Sequence, residues 1–124
     1  MDNYIPRALM PQVDGKFLPQ LVATLYQDNH NPTFEVVDPD TLHAHQRCNA
    51  ARARSMPLEV ALKPVLVSHD NYVVDGNHRW WYHKYNGDSP MSIIRMGLLF
   101  DDAIAWLKKQ PYVYEITPAT PERN

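Results

Sequence analysis

The stretch PVLVSHDNYVVDGNHRWWYHKYNG, residues 64–87, constrains this chain more than any other. Val65, Leu66 and Val67 form a short apolar run, Ser68-His69-Asp70-Asn71 supplies turn formers, and Tyr72, Val73 and Val74 resume the run. Two β-branched runs separated by four such residues predict a β-hairpin. The second strand stops at Asp75-Gly76, where glycine accepts backbone angles that other residues resist and brings bare N–H groups close to a ligand. From Asn77 to Asn86 no Pro or Gly interrupts, and Gly87 supplies a C-terminal stop, so a helix is expected there.

Chemistry follows from that junction. A strand that runs through a glycine into a helix leaves the first helical N–H groups outside the intrahelical pattern, with the positive end of the helix dipole behind them. This is an anion site, and phosphate suits it. Its first turn carries His78, a switchable donor, and Arg79, a permanent guanidinium fork. Asp75 precedes the glycine, where a carboxylate can orient His78 or help to hold a metal on phosphates. A plainer reading has Asp75 capping the helix, Arg79 in a surface ion pair and His78 solvated.

The run Asp75-Gly76-Asn77-His78-Arg79-Trp80 resembles the second conserved box of the ParB/sulfiredoxin superfamily. Sulfiredoxins carry Gly-Cys-His-Arg there and free serine kinases carry Asp-Gly-His-His-Arg. Gly76, His78 and Arg79 match both patterns, Asp75 matches the kinases, and the spacing from Gly76 to Gly87 is similar to the family's helix. The resemblance runs from about Thr33 to Met96. It implies an α+β fold, a small mixed sheet of four or five strands with packed helices. It also implies a nucleotide site in which Gly76, Asn77, His78 and Arg79 hold phosphate and Gln46 and Arg47 approach from the segment after the first strand. Catalysis would fall to His78, Arg79 and Asp75, with ATP or CTP as ligand and Mg²⁺ held at Asp75.

The activity implied is that of a phosphotransferase or nucleotide hydrolase. Small phage-encoded members of the superfamily are described as ParB-like nucleases, so DNA cleavage with the same residues is an alternative. A non-catalytic, nucleotide-switched or protein-interaction module, homodimeric or bound to a protein partner, is another. Two departures narrow the field. Where the serine kinases have a glutamate base this chain has Gln46, which cannot take a proton from a hydroxyl. Where sulfiredoxins have their cysteine it has Asn77, which has no thiol.

Composition bounds the remainder. A chain of 124 residues suits one domain with a modest core, divided here into an N-terminal extension (1–32), the superfamily-like domain (33–117) and a tail (118–124). A net charge of −2 argues against a protein that chiefly coats nucleic-acid backbone. The single cysteine, Cys48, allows no internal disulfide and fits a reducing compartment. No apolar run reaches membrane-spanning length, and Asp2 and Pro6 interrupt the N-terminus, so a cytoplasmic protein without a membrane partner is expected.

In chain order, residues 1–15 are expected to be irregular, since Pro6 and Pro11 oppose a helix. Phe17 to Tyr26 has helical spacing of Phe17, Leu21, Val22, Leu25 and Tyr26 and predicts a helix that covers a sheet edge or faces a partner. Phe34 to Val37 predicts a strand, Cys48 to Met56 a helix, Pro90 to Met96 a strand, Phe100 to Gln110 a helix and Tyr112 to Ile116 an edge strand. His43 and His45 alternate beside Asp38 and Asp40, a weak pattern for a metal site. Trp80, Trp81, Tyr82 and Tyr85 read as helix-packing residues, with one tryptophan available to stack on a base.

Overall fold

The structure, a computed structural model, describes residues 11–13, 15–44, 55–86, 89–111 and 113–115. Strand β1 (Pro11–Val13) leads through a 3-10 turn (Gly15–Phe17) into helix α1 (Leu18–Gln27). Strand β2 (Thr33–Val37) and a second 3-10 turn (Pro39–Thr41) follow. A short helix, α2 (Leu58–Ala61), precedes the hairpin of β3 (Val65–Val67) and β4 (Val73–Asp75). Helix α3 (Asn77–Tyr85), strand β5 (Met91–Arg95), helix α4 (Phe100–Lys108) and strand β6 (Val113–Glu115) complete the order.

The main sheet has the order β2-β5-β3-β4. Strand β5 runs antiparallel to β2 and parallel to β3, so the sheet is mixed and the fold is of the small α+β class expected. The parallel pair is allowed because β4 and α3 together give the chain enough length to return in the same direction. Alternation then sorts the side chains. Val65, Val67, Met91 and Ile93 face one side, with Leu42 and Trp80, while Leu66 and Ile94 face the other, with Leu21, Leu25 and Leu107. Both faces of the central strands are covered, which is why Val65-Leu66-Val67 is an unbroken apolar run.

The hairpin loop does more than turn the chain. Asp70 Oδ1 accepts the Phe100 N–H at 3.0 Å and the Ser68 hydroxyl at 2.5 Å, so the loop caps the start of α4. Asn71 takes a positive φ of 71°, which asparagine tolerates, and its Oδ1 accepts from Arg95 Nη1 at 2.5 Å. Arg95 Nε also donates to Glu35 Oε2 at 2.9 Å across β5 and β2. The Arg95 and Thr33 hydrogen bonds hold the Glu35 carboxyl below its ordinary range.

Three features differ from the expected pattern. Residues 11–13, expected to be irregular, form β1 and pair antiparallel with β6 in a separate two-stranded sheet. Proline is tolerated as the first residue of a strand, and the partner, the strand expected at Tyr112 to Ile116, lies near the far end of the chain, so local pattern does not show the pairing. Helix α2 was not expected, and Leu21 and Leu25 of α1 are fully buried in the main core rather than laid along an edge. Of the helix expected over Cys48 to Met56, residues 48–54 lie outside the described residues, and Ser55 and Met56 are not helical. Gln46, Arg47, His45, Gly87 and the tail also lie outside them. Among the described residues no helix is long and apolar enough to cross a membrane.

Candidate functional site

Strand β4 ends at Asp75, Gly76 turns the chain, and α3 begins at Asn77. Gly76 sits at φ 111° and ψ 29°, a left-handed conformation that disfavours any residue with a Cβ. Its carbonyl accepts the Trp80 N–H at 3.0 Å, the first bond of the helix. The N–H groups of Asn77, His78 and Arg79 precede that pattern, at the positive end of the helix dipole. Gly76, as the N-cap, contributes no side-chain capping bond.

Asp75 Oδ2 accepts the Val13 N–H at 3.1 Å and so ties β1 to the end of β4. Among the described residues Arg79 is in no surface ion pair. Its guanidinium folds back over the glycine: a Cβ added to Gly76 would lie 2.8 Å from Arg79 Nη2 and 3.0 Å from Nε. Arg79 Nε is shielded from solvent and has no hydrogen-bond partner among the described residues. An unsatisfied buried donor costs roughly 1–3 kcal/mol, more when charged; Trp81 Nε1, away from both pockets, is buried in the same way.

Helix α3 is held firmly behind this turn. Trp80 Nε1 donates to the Pro39 carbonyl at 2.8 Å, and Lys84 pairs with Asp40. His83 is buried, with Nε2 3.2 Å from the Ala61 carbonyl and Nδ1 2.8 Å from the Ser89 hydroxyl. A carbonyl can only accept, so Nε2 carries the hydrogen and the imidazole bridges α3 to α2. Thus His83 is structural, while His78, five residues earlier, is half-buried on a pocket wall.

Two adjoining pockets meet at the turn. The first, of about 180 Å³, is walled by Gln12, Asp75, Gly76, Asn77, His78 and Arg79, with Met56 and Val60 across from them. The second, of about 170 Å³, lies between the Val13–Leu18 segment and the Lys63–Leu66 segment. Val13, Asp75 and Arg79 line both. Five of the residues singled out in the sequence therefore come together. Lys63, Gln12 and Leu18 also reach these walls and were not singled out; three-residue strands and exposed lysines carry no local signature of a pocket.

The tryptophans lie elsewhere. Trp80 is core, and Trp81 meets Trp80 edge-on and stacks on Tyr85 at 5.6 Å, so neither lines these two pockets. Among the described residues no three His, Cys, Asp or Glu side chains gather as metal ligands. Asp38 accepts the Asp40 N–H, Asp40 meets Lys84, and His43 packs against Tyr72. A lone pocket carboxylate such as Asp75 still suits Mg²⁺, which commonly uses one or two carboxylates plus the oxygens of bound phosphates. Comparison with known protein families, curated proteins and solved structures yields no match to this chain.

Proposed function

We propose that the Asp75–Arg79 turn is the phosphate-binding element of a nucleotide site, and that the protein is a ParB/sulfiredoxin-like phosphotransferase or nucleotide hydrolase. The observation that carries this reading is the Arg79 guanidinium, folded over Gly76 beside a helix N-terminus in a side chain that lines the first pocket. Charge-assisted bonds from a guanidinium to phosphate oxygens are about twice as strong as neutral ones.

The roles follow from placement. Gly76 leaves room for the Arg79 guanidinium against the turn, and the first-turn amides face the phosphate oxygens. Arg79 balances the charge that develops on a departing phosphoryl group. His78, on the pocket wall, donates to a phosphate oxygen or moves the proton of the acceptor. Asp75, its carboxylate oriented by the bond from Val13 N–H, would hold Mg²⁺, which when bound would supply neutralisation of phosphate charge.

Thermal melting with each nucleotide plus Mg²⁺, on wild type and Arg79→Ala, tests this. A ligand that binds only the folded state raises the midpoint by mass action. The expected result is a rise with one triphosphate that is absent in Arg79→Ala, followed by release of diphosphate or phosphate on incubation. No rise with any nucleotide overturns the reading. Cleavage of plasmid DNA with a divalent metal under those conditions would replace it with nuclease action. A rise without turnover would replace the enzyme with a nucleotide-switched module.

A further inference from the structure

We infer that the second pocket, between the Val13–Leu18 and Lys63–Leu66 segments, is a nucleoside compartment whose selectivity is set by Leu18 and Lys63. This inference rests on the phosphate reading of the first pocket and deepens it. Size is the first constraint. Pockets that enclose ligands of drug or nucleotide size measure about 300–1,000 Å³. Each compartment here falls short, at about 180 and 170 Å³, and the two together reach the lower end of that range. Because Asp75 and Arg79 line both, one molecule can place its charged end in the first and its remainder in the second across a short link.

Lining chemistry identifies the remainder. Val13, Leu18, Pro64 and Leu66 give the second compartment apolar walls, while Lys63 is its distinct cation beyond the shared Arg79. A sugar alone would leave several hydroxyls unpaired against such walls, at roughly 1–3 kcal/mol each. A flat, weakly polar ring fits better: its faces lie on Leu18 and Pro64, and its edge acceptors meet the Lys63 ammonium. The Val13 N–H bond to Asp75 fastens the Val13 wall to the phosphate turn, so both compartments keep their relative position.

The test compares pyrophosphate with ADP and CDP, each with Mg²⁺, by calorimetric titration of the full chain. Pyrophosphate probes the first compartment alone. In wild type at least one nucleoside diphosphate is expected to bind about tenfold or more tighter than pyrophosphate, an advantage near 1.4 kcal/mol. Leu18→Trp, which fills the second compartment, is expected to abolish that advantage with pyrophosphate binding retained. Should Leu18→Trp also lose pyrophosphate through misfolding, Lys63→Ala, at an exposed side chain, decides by the same comparison, with an expected loss of about threefold or more in the nucleoside advantage. Equal binding of pyrophosphate and both nucleotides to wild type overturns this inference and leaves the phosphate site standing. So does an advantage that survives both substitutions. Binding of neither probe overturns both readings together.

Discussion

The guanidinium of Arg79 is packed directly over the bare α-carbon of Gly76, three residues earlier in the same turn. Helical side chains lean toward the N-terminus, so an arginine at this position naturally reaches back over the cap residue. Only a glycine leaves space for it, and only a glycine accepts φ 111° at that point. The two requirements coincide, and together they deliver a fixed positive charge to the end of α3 that already favours anions.

Gly76→Ala tests this coincidence. The added methyl would meet Arg79 Nη2 at 2.8 Å and Val65 Cγ2 at 3.0 Å, in a conformation already strained for alanine. A loss of about 1–3 kcal/mol in unfolding free energy is expected from backbone strain alone, with the guanidinium displaced as well. Urea titration of the two proteins measures it. An unchanged midpoint would show that the turn relaxes without cost and that the packing is incidental.

Arg79→Met separates stability from binding. Removing a buried donor that no described residue satisfies should leave stability equal to wild type or raise it by about 1 kcal/mol, since methionine fills the stem's volume without an orphan N–H. Ligand protection should disappear in the same variant. A structural arginine would behave oppositely, with a clear drop in midpoint and no change in ligand response, and that outcome would remove Arg79 from the site.

Asp70→Ala examines how the hairpin loop supports the fold. The carboxylate caps α4 through the Phe100 N–H and also accepts the Ser68 hydroxyl, so its loss should cost about 1–2 kcal/mol. Asp70→Asn retains an acceptor and should recover most of that in the same denaturation measurement. If the two variants are equally stable, the capping bond is not what matters at this position.

Legibility in the sequence followed the range of the interactions. The β3–β4 hairpin, Gly76 and the start of α3 depend on neighbours within a few residues, and the β-branched runs and the Asp-Gly pair mark them. The insertion of β5 between β2 and β3, and the pairing of β1 with β6, depend on segments far apart in the chain, which periodicity does not record. Leu21 and Leu25 showed helical spacing, yet nothing local tells a helix on an edge from one buried in the core. At the candidate site, Asp75, Gly76, Asn77, His78 and Arg79 were readable because they are contiguous. Lys63 and Leu18 were not, because only the tertiary fold brings them to Arg79.

The Glu35–Arg95 pair gives the fold an acid sensitivity with a definite sign. Arg95 donates to Glu35 Oε2 at 2.9 Å and Thr33 adds a further hydrogen bond, so the folded-state pKa of Glu35 lies below its ordinary value of 4.5. Between those two values the unfolded chain binds a proton that the folded chain does not. The contribution is therefore fully present above about pH 4.5 and is lost as pH falls through the folded-state value. Glu35 is about a third exposed, 35% at its side chain, so solvent screening keeps the effect to about 1 kcal/mol or less. Unfolding in urea at pH 7 and at points down to pH 3 should show stability falling with acidification, and Glu35→Gln should remove part of that slope while lowering stability at pH 7. A pH profile identical in the two proteins would mean that the β2–β5 clamp contributes no net stability, leaving Arg95 to act only through its bond to the Asn71 turn.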